Sequence, residues 1–159
     1  MPRHPVVGPE WIDSAPIQVS KSIEIDAPPS QVWAHVADHE AWPEWFTDLD
    51  VVERIGTGEG VGSGRRVTVR RLKLDEEFPA WTPDEQFAFA VIASPFPFLG
   101  RLAEDVSLEA TDAGTRVTYR QGVEGRRFVG GLMSLAWRQA PRQVERALGR
   151  LKQRVESAG

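Results

Sequence analysis

Four polar side chains set into otherwise apolar segments are the residues of this chain best suited to chemistry: Glu76, Glu104, Tyr119 and Gln121. Alternate side chains of a β-strand share one face. Alternation groups Glu76 with Leu74, Phe78 and Ala80, and Glu104 with Val106, Leu108 and Ala110. It groups Tyr119 and Gln121 with Val117 and Val123. Phe87, Phe89 and Val91 add a wholly apolar set from the segment between them. A few polar groups among many apolar ones is the composition of a small-molecule pocket. A glutamate held in an apolar cavity titrates above its usual range and can move protons near neutral pH. Glu104, Tyr119 and Glu76 are therefore the candidates for acid–base work. The competing view is that both glutamates lie near strand ends and reach water, because unpaired buried acids are rare. Serine, histidine and aspartate are all present, but no spacing sets a nucleophile beside a base.

Three other patterns carry less. His35 and His39 stand four apart, a spacing that can offer two imidazoles to one zinc, but the zinc-protease pattern lacks its glutamate and the helix ends between them. Ordinary surface histidines are expected, with no metal. The run Gly56 to Gly64 lacks the Gly-Lys-Ser/Thr ending of a phosphate loop and joins two strands, so it reads as a hairpin turn. Arg138, Arg142, Arg146, Arg150 and Arg154 recur every four residues, with Glu145 and Glu156 interspersed, and read as a solvated outer face.

The elements that must position the four polar groups follow from periodicity. Met1 to Ala15 contains Pro2, Pro5 and Pro9, which forbid an α-helix, and reads as a loosely ordered extended arm that Trp11 and Ile12 could anchor. Ile17 to Ile25 is a half-buried strand. Pro28 and Pro29 then open a short helix with Val32, Trp33, Val36 and Ala37 on one face. A second helical turn holds Trp42, Trp45 and Phe46. Six strand segments follow, over Leu49 to Ile55, Arg65 to Leu72, Lys73 to Trp81, Gln86 to Ala93, Leu102 to Ala110 and Thr115 to Val123. The last two form a hairpin around Asp112-Ala113-Gly114. Arg127 to Ser157 reads as one long helix. Its apolar stripe includes Phe128, Leu132, Leu135, Ala136, Ala140, Val144, Leu148, Leu151 and Val155, and Pro141 should kink it.

A stripe that long must be covered, and a run of strands is the available cover. The expectation is α+β: a curved seven-stranded antiparallel sheet with two short helices after its first strand and a long C-terminal helix over a cavity. Counting successive antiparallel strands puts the turn at Arg71 to Lys73, the loop Ser94 to Gly100 and the junction Gly122 to Gly131 at one end. That end is the expected cavity mouth, where Phe96, Phe98 and Leu99 either form a lid or pack on the sheet edge, and the helix offers Leu132, Leu135 and Ala136.

The 159 residues suit one domain, over residues 16–159, behind the arm of residues 1–15. A formal net charge of −4 argues against general nucleic-acid binding. The chain has no cysteine, which excludes disulfides, thiolate metal sites and a cysteine nucleophile. No run approaches a membrane span and the N-terminus lacks the apolar core of a secretory signal, so a cytoplasmic protein is expected.

The chain resembles the START-like (SRPBCC) superfamily, in its polyketide cyclase/dehydrase and lipid-transport branch, which has the helix-grip fold of the plant pollen allergens. The resemblance runs from about Ile17 to Ser157. It rests on Ile23-Glu24-Ile25-Asp26-Ala27-Pro28, Val32-Trp33, Asp38, Trp42 and Trp45, the glycine loop, Gly114-Thr115-Arg116-Val117-Thr118 and the terminal helix. It implies a hydrophobic cavity and no particular reaction. The expected function is binding or carriage of a hydrophobic small molecule or lipid. The alternatives are a polyketide cyclase/dehydrase acting through the same cavity and a protein interaction module. No cofactor is implied, and a monomer or weak homodimer is expected.

Overall fold

A computed structural model describes residues 1–159. Seven antiparallel strands form one sheet: β1 (Ile17–Ile25), β2 (Val51–Ile55), β3 (Gly64–Val69), β4 (Leu72–Thr82), β5 (Gln86–Ala93), β6 (Leu99–Thr111) and β7 (Gly114–Gly125). Their order is β1-β7-β6-β5-β4-β3-β2, so only β1 pairs outside its chain order. Between β1 and β2 lie α1 (Pro29–Val36) and α2 (Trp42–Trp45), and after β7 come α3 (Gly130–Ala136) and α4 (Ala140–Ala158). This is the expected α+β helix-grip architecture.

The β1–β7 pairing sets the first strand beside the last, at one edge of the sheet, and fixes α1. Gly114 takes φ +139, and a Cβ there would meet the carbonyl oxygen of Ile25 at 2.2 Å, so no other residue fits. Beside it the buried Thr115 hydroxyl donates to the carbonyl of Ala27 at 2.7 Å, holding the start of α1 against β7. One continuous core then fills the space between the inner face of the sheet and α1, α2 and α4. Trp42, Trp45, Phe78, Phe87, Phe89, Val144, Leu148 and Leu151 all lie within it.

The terminal helix is two helices. Residues Trp137 to Gln139 leave the α-helical path, and α4 restarts at Ala140 with Pro141 in its first turn. Proline lacks an N–H, and in the first turn that N–H would have no intrahelical acceptor, so Pro141 starts a helix where a kink was expected. The stripe from Ala140 to Val155 is buried as its spacing implies. Its N-terminal part is not: in α3 only Met133 is buried, while Leu132 and Leu135 are exposed. Ala110, assigned to an inner set by alternation, is exposed near the end of β6.

The arm is docked. Pro9–Ser14 forms a 3-10 helix, which proline at its start permits although a longer α-helix is forbidden. Ile12 is buried against Ala90 and Ala103 on the outer face of the sheet, and a Cβ on Gly122 would lie 3.0 Å from Ile12 and Ala15. Further along, the His4 N–H donates to the carbonyl of Ile92, and the Ser94 N–H donates to that of Pro2. Contrary to the expected loose tail, this segment is paired and packed.

Candidate functional site: a cavity with a buried polar end

A cavity of about 470 Å³ lies between the inner face of β3–β7 and the covering segments α2, α3 and the start of α4. Of its 25 lining residues, 18 are hydrophobic, which suits it to an apolar guest. The exposed lining residues Phe96, Phe98 and Leu132 mark its mouth, at the end that strand counting selected. Phe96 and Phe98 stand at this mouth, whereas Leu99 is fully packed.

Nine of the fourteen sequence-selected site residues line the cavity: Glu76, Phe89, Val91, Phe98, Glu104, Tyr119, Gln121, Leu132 and Ala136. Five do not. Phe78 and Phe87 pack beyond its closed end, around His39 and Trp81. Val106 and Leu108 are buried in the core on the strand that α1 packs against. Leu135 is exposed and does not line the cavity, which α3 meets with Leu132, Met133 and Ala136.

Arg65, Glu76, Glu104, Tyr119 and Gln121 are buried and make the inner end polar, while the other polar lining residues, Asp48 and Gln143, are partly exposed. The view that both glutamates reach water is overturned: Glu76 is 5 % and Glu104 9 % exposed. Each is satisfied by a neighbour on the adjacent strand. Glu76 on β4 lies directly opposite Arg65 on β3, whose Nε donates to its carboxylate at 2.6 Å. Glu104 on β6 lies opposite Gln121 and diagonally from Tyr119 on β7. Its Oε1 accepts from the Tyr119 hydroxyl at 2.8 Å and from Gln121 Nε2 at 2.5 Å. Gln121 Oε1 in turn accepts from Trp137 Nε1 at 3.4 Å, so the residue at the helix break touches the polar end.

Titration follows from this geometry. Burial pushes the Glu104 carboxyl up to about 7, and the negative charge of Glu76 adds to the effect; the two hydrogen bonds oppose it. Burial also raises Glu76, against the pull of Arg65. The Tyr119 hydroxyl is pushed well above its ordinary range by burial and by Glu104, so it remains a donor.

Two members of the site were not selected from the sequence. Arg65 is 1 % exposed, with its guanidinium carbon 4.0 Å from the Trp42 ring centre and 4.4 Å from that of Phe89. Alternation along β3 was the available signal, since Arg65 shares a face with Val67 and Val69, both of which line the cavity. His39 is buried, not a surface histidine. Its Nε2 pairs with the Gly58 carbonyl at 2.7 Å, which ties the glycine loop to the core. Burial and the neighbouring Arg65 lower it to about 4, so it is a neutral imidazole at neutral pH and donates to that carbonyl. His35 is separate and accepts from Arg154 Nε at 3.0 Å. Along the arginine stripe, Arg138, Arg142, Arg146 and Arg150 are exposed, as expected of an outer face.

Sequence comparison decides the kinship. Residues 16–156 match the family described as "Polyketide cyclase / dehydrase and lipid transport". The chain belongs to this family. An uncharacterized protein of Mycobacterium tuberculosis is 30% identical over 115 residues, covering 71% of this chain and 69% of that one. A START superfamily protein from Mycobacterium smegmatis has the same fold, with a TM-score of 0.70 at 19% identity over 89% of this chain and 99% of that chain. So does the Zhui aromatase/cyclase from Streptomyces sp. R1128, with a TM-score of 0.71 at 16% identity over 88% of this chain and 93% of that chain. At such identities the two solved structures speak to the fold alone. No helix of the chain is long and apolar enough to cross a membrane.

Proposed function

We propose that the protein binds and carries a hydrophobic small molecule or lipid in the cavity between sheet and helices. The observation that carries this reading is the composition of the wall: 18 of its 25 residues are hydrophobic, and Arg65, Glu76, Glu104, Tyr119 and Gln121 form a polar cluster at the buried end. Each 100 Å² of ligand surface taken from water there contributes about 2.5 kcal/mol, before the entropic costs of association. The polar end then orients the guest. Oε1 of Glu104 is already engaged by two donors, while Oε2 has no hydrogen-bond partner within the chain. With Glu104 protonated, that oxygen offers an O–H to a carbonyl, ether or hydroxyl oxygen of the ligand.

The test is a fluorescence titration with N-phenyl-1-naphthylamine, an uncharged apolar probe. Saturable binding that is lost in Ala136→Trp, which narrows the mouth, supports the reading. Absence of saturable binding, or binding unchanged in Ala136→Trp, contradicts it.

One observation favours a second reading, a cyclase/dehydrase-type enzyme. A carboxyl that titrates at about 7 is matched to general acid–base work near neutral pH. In that reading Glu104 moves the proton, Tyr119 positions it, and the Arg65 guanidinium stabilises developing negative charge on a carbonyl oxygen. Turnover of an aromatic polyketide intermediate that survives in Glu104→Gln would dismiss Glu104 from this role.

A further inference from the structure

The surface around the cavity mouth departs from the rest of the molecule in two ways at once. It is apolar: Phe128 is 98% exposed, Leu135 59%, Leu132 50%, Phe98 49%, Leu72 40% and Phe96 37%. It is also basic. The four segments that frame the mouth, residues 48–50, 70–73, 94–101 and 124–138, contain seven lysines and arginines against three acids. The chain as a whole has 19 basic and 23 acidic residues, which leaves twelve against twenty elsewhere. Two of the three acids are engaged: Glu124 pairs with Arg101 at 3.1 Å, and Asp50 accepts the Arg71 backbone N–H at 3.1 Å.

These features share one surface. The Arg126 N–H donates to the carbonyl of Phe98 at 2.8 Å, and Arg126 Nε donates to that of Leu99 at 3.2 Å. The Arg127 guanidinium lies 5.6 Å from the ring centre of Phe128. Phe96, Phe98 and Leu132 line the mouth itself, and Leu72 sits between Val69 and Leu74, which line its opposite wall.

We propose that the cavity mouth is a docking surface for an anionic membrane, with Phe98, Phe128, Leu132 and Leu135 inserting among the headgroups and Arg126 and Arg127 pairing with lipid phosphates. Exposed aromatic and aliphatic side chains interleaved with arginine are what an interface of acyl chains and phosphates binds. An anionic surface adds attraction for each cation held near it. A second copy of the chain fits less well. A symmetric dimer through this surface sets two basic poles against each other, and like charges across an interface are unfavourable. The proposal does not depend on what fills the cavity: probe binding tests the cavity, and vesicles test the surface.

The experiment is co-sedimentation of the full chain with phosphatidylcholine vesicles, with and without phosphatidylglycerol. The protein should partition onto the phosphatidylglycerol vesicles and be released by salt. Phe98→Ser/Phe128→Ser and Arg126→Gln/Arg127→Gln should each weaken partition by about tenfold or more. Arg146→Gln/Arg150→Gln, on the outer side of α4, should retain it. All six positions except Phe98 are solvent-facing and Phe98 is half-exposed, and circular dichroism checks that each variant is folded. Failure of the wild type to partition overturns the proposal, as does equal binding by the mouth variants or equal loss in the α4 variant. A dimer that Phe98→Ser/Phe128→Ser dissociates, with no vesicle binding, assigns the surface to a second copy instead.

Discussion

Replacing Glu104 by glutamine should stabilise the protein at alkaline pH and leave it nearly unchanged in acid. Glutamine keeps an oxygen to accept from Tyr119 and Gln121, and its amide takes the place of the protonated Oε2. The folded state raises Glu104 from 4.5 to about 7, so the folded state holds the proton more tightly than the unfolded chain does. The stability this provides is complete below 4.5 and is lost as pH rises through about 7. At 1.36 kcal/mol for each unit, the loss comes to about 3 kcal/mol. His39 works in the other direction. Lowered from 6.5 to about 4, it contributes stability that is present above 6.5 and is lost as pH falls through about 4. Between these limits the two groups nearly cancel, so the pH profile of the wild type alone would hide both. The difference between Glu104→Gln and wild type removes the contribution of His39. Urea unfolding at about pH 5 and about pH 8 should show that difference growing by about 2.5 kcal/mol in favour of the variant at the higher pH, part of the full span being already lost at about pH 5, with unchanged urea dependence. A difference that stays constant with pH would mean that Glu104 titrates in its ordinary range, and the desolvated polar end would be refuted.

Removing one partner of the Arg65–Glu76 pair strands a buried charge. Glu76→Leu should cost about 3–5 kcal/mol by chemical denaturation, and Arg65→Met/Glu76→Leu should cost less than Glu76→Leu alone. Ile12→Ala should cost about 2–4 kcal/mol, because the side chain is buried against Ala90 and Ala103; a loss under about 1 kcal/mol would make the arm the loose tail its prolines suggest. Pro141→Ala should change thermal stability by less than about 1 kcal/mol, since Pro141 sits in a first turn; stabilisation near 3 kcal/mol would instead indicate a continuous, kinked helix.

Most of the architecture was legible because period-2 and period-3.6 patterns survive translation into burial. The inner sets of β5 and β7 and the stripe on α4 came out as alternation placed them, and so did Leu74, Glu76 and Phe78 on β4; past Phe78 a bulge shifts the register, so that Trp81, opposite Phe87, faces the core in place of Ala80. What alternation could not convey was depth along a strand. Phe78 and Glu76 share one face of β4, yet one packs beyond the closed end and the other lines the cavity. The helix break was hidden because Leu132, Leu135 and Ala136 keep helical spacing with the residues after Pro141. Their stripe faces a cavity and solvent there, not a core, and spacing alone does not distinguish the two. Arg65 was missed for a different reason. A charged side chain argues against burial until its partner is known, and its partner Glu76 is fixed by strand register, which the loop between β3 and β4 sets. The same holds for His39, whose burial depends on the Gly58 carbonyl reaching back from the glycine loop.

Native mass spectrometry of the purified protein, followed by solvent extraction and identification of what it carries, tests the binding of a hydrophobic guest most directly. A protein that carries such a guest should show a stoichiometric apolar adduct, displaced by N-phenyl-1-naphthylamine and absent from Ala136→Trp. A bare mass from a protein that also fails to take up the probe would contradict it.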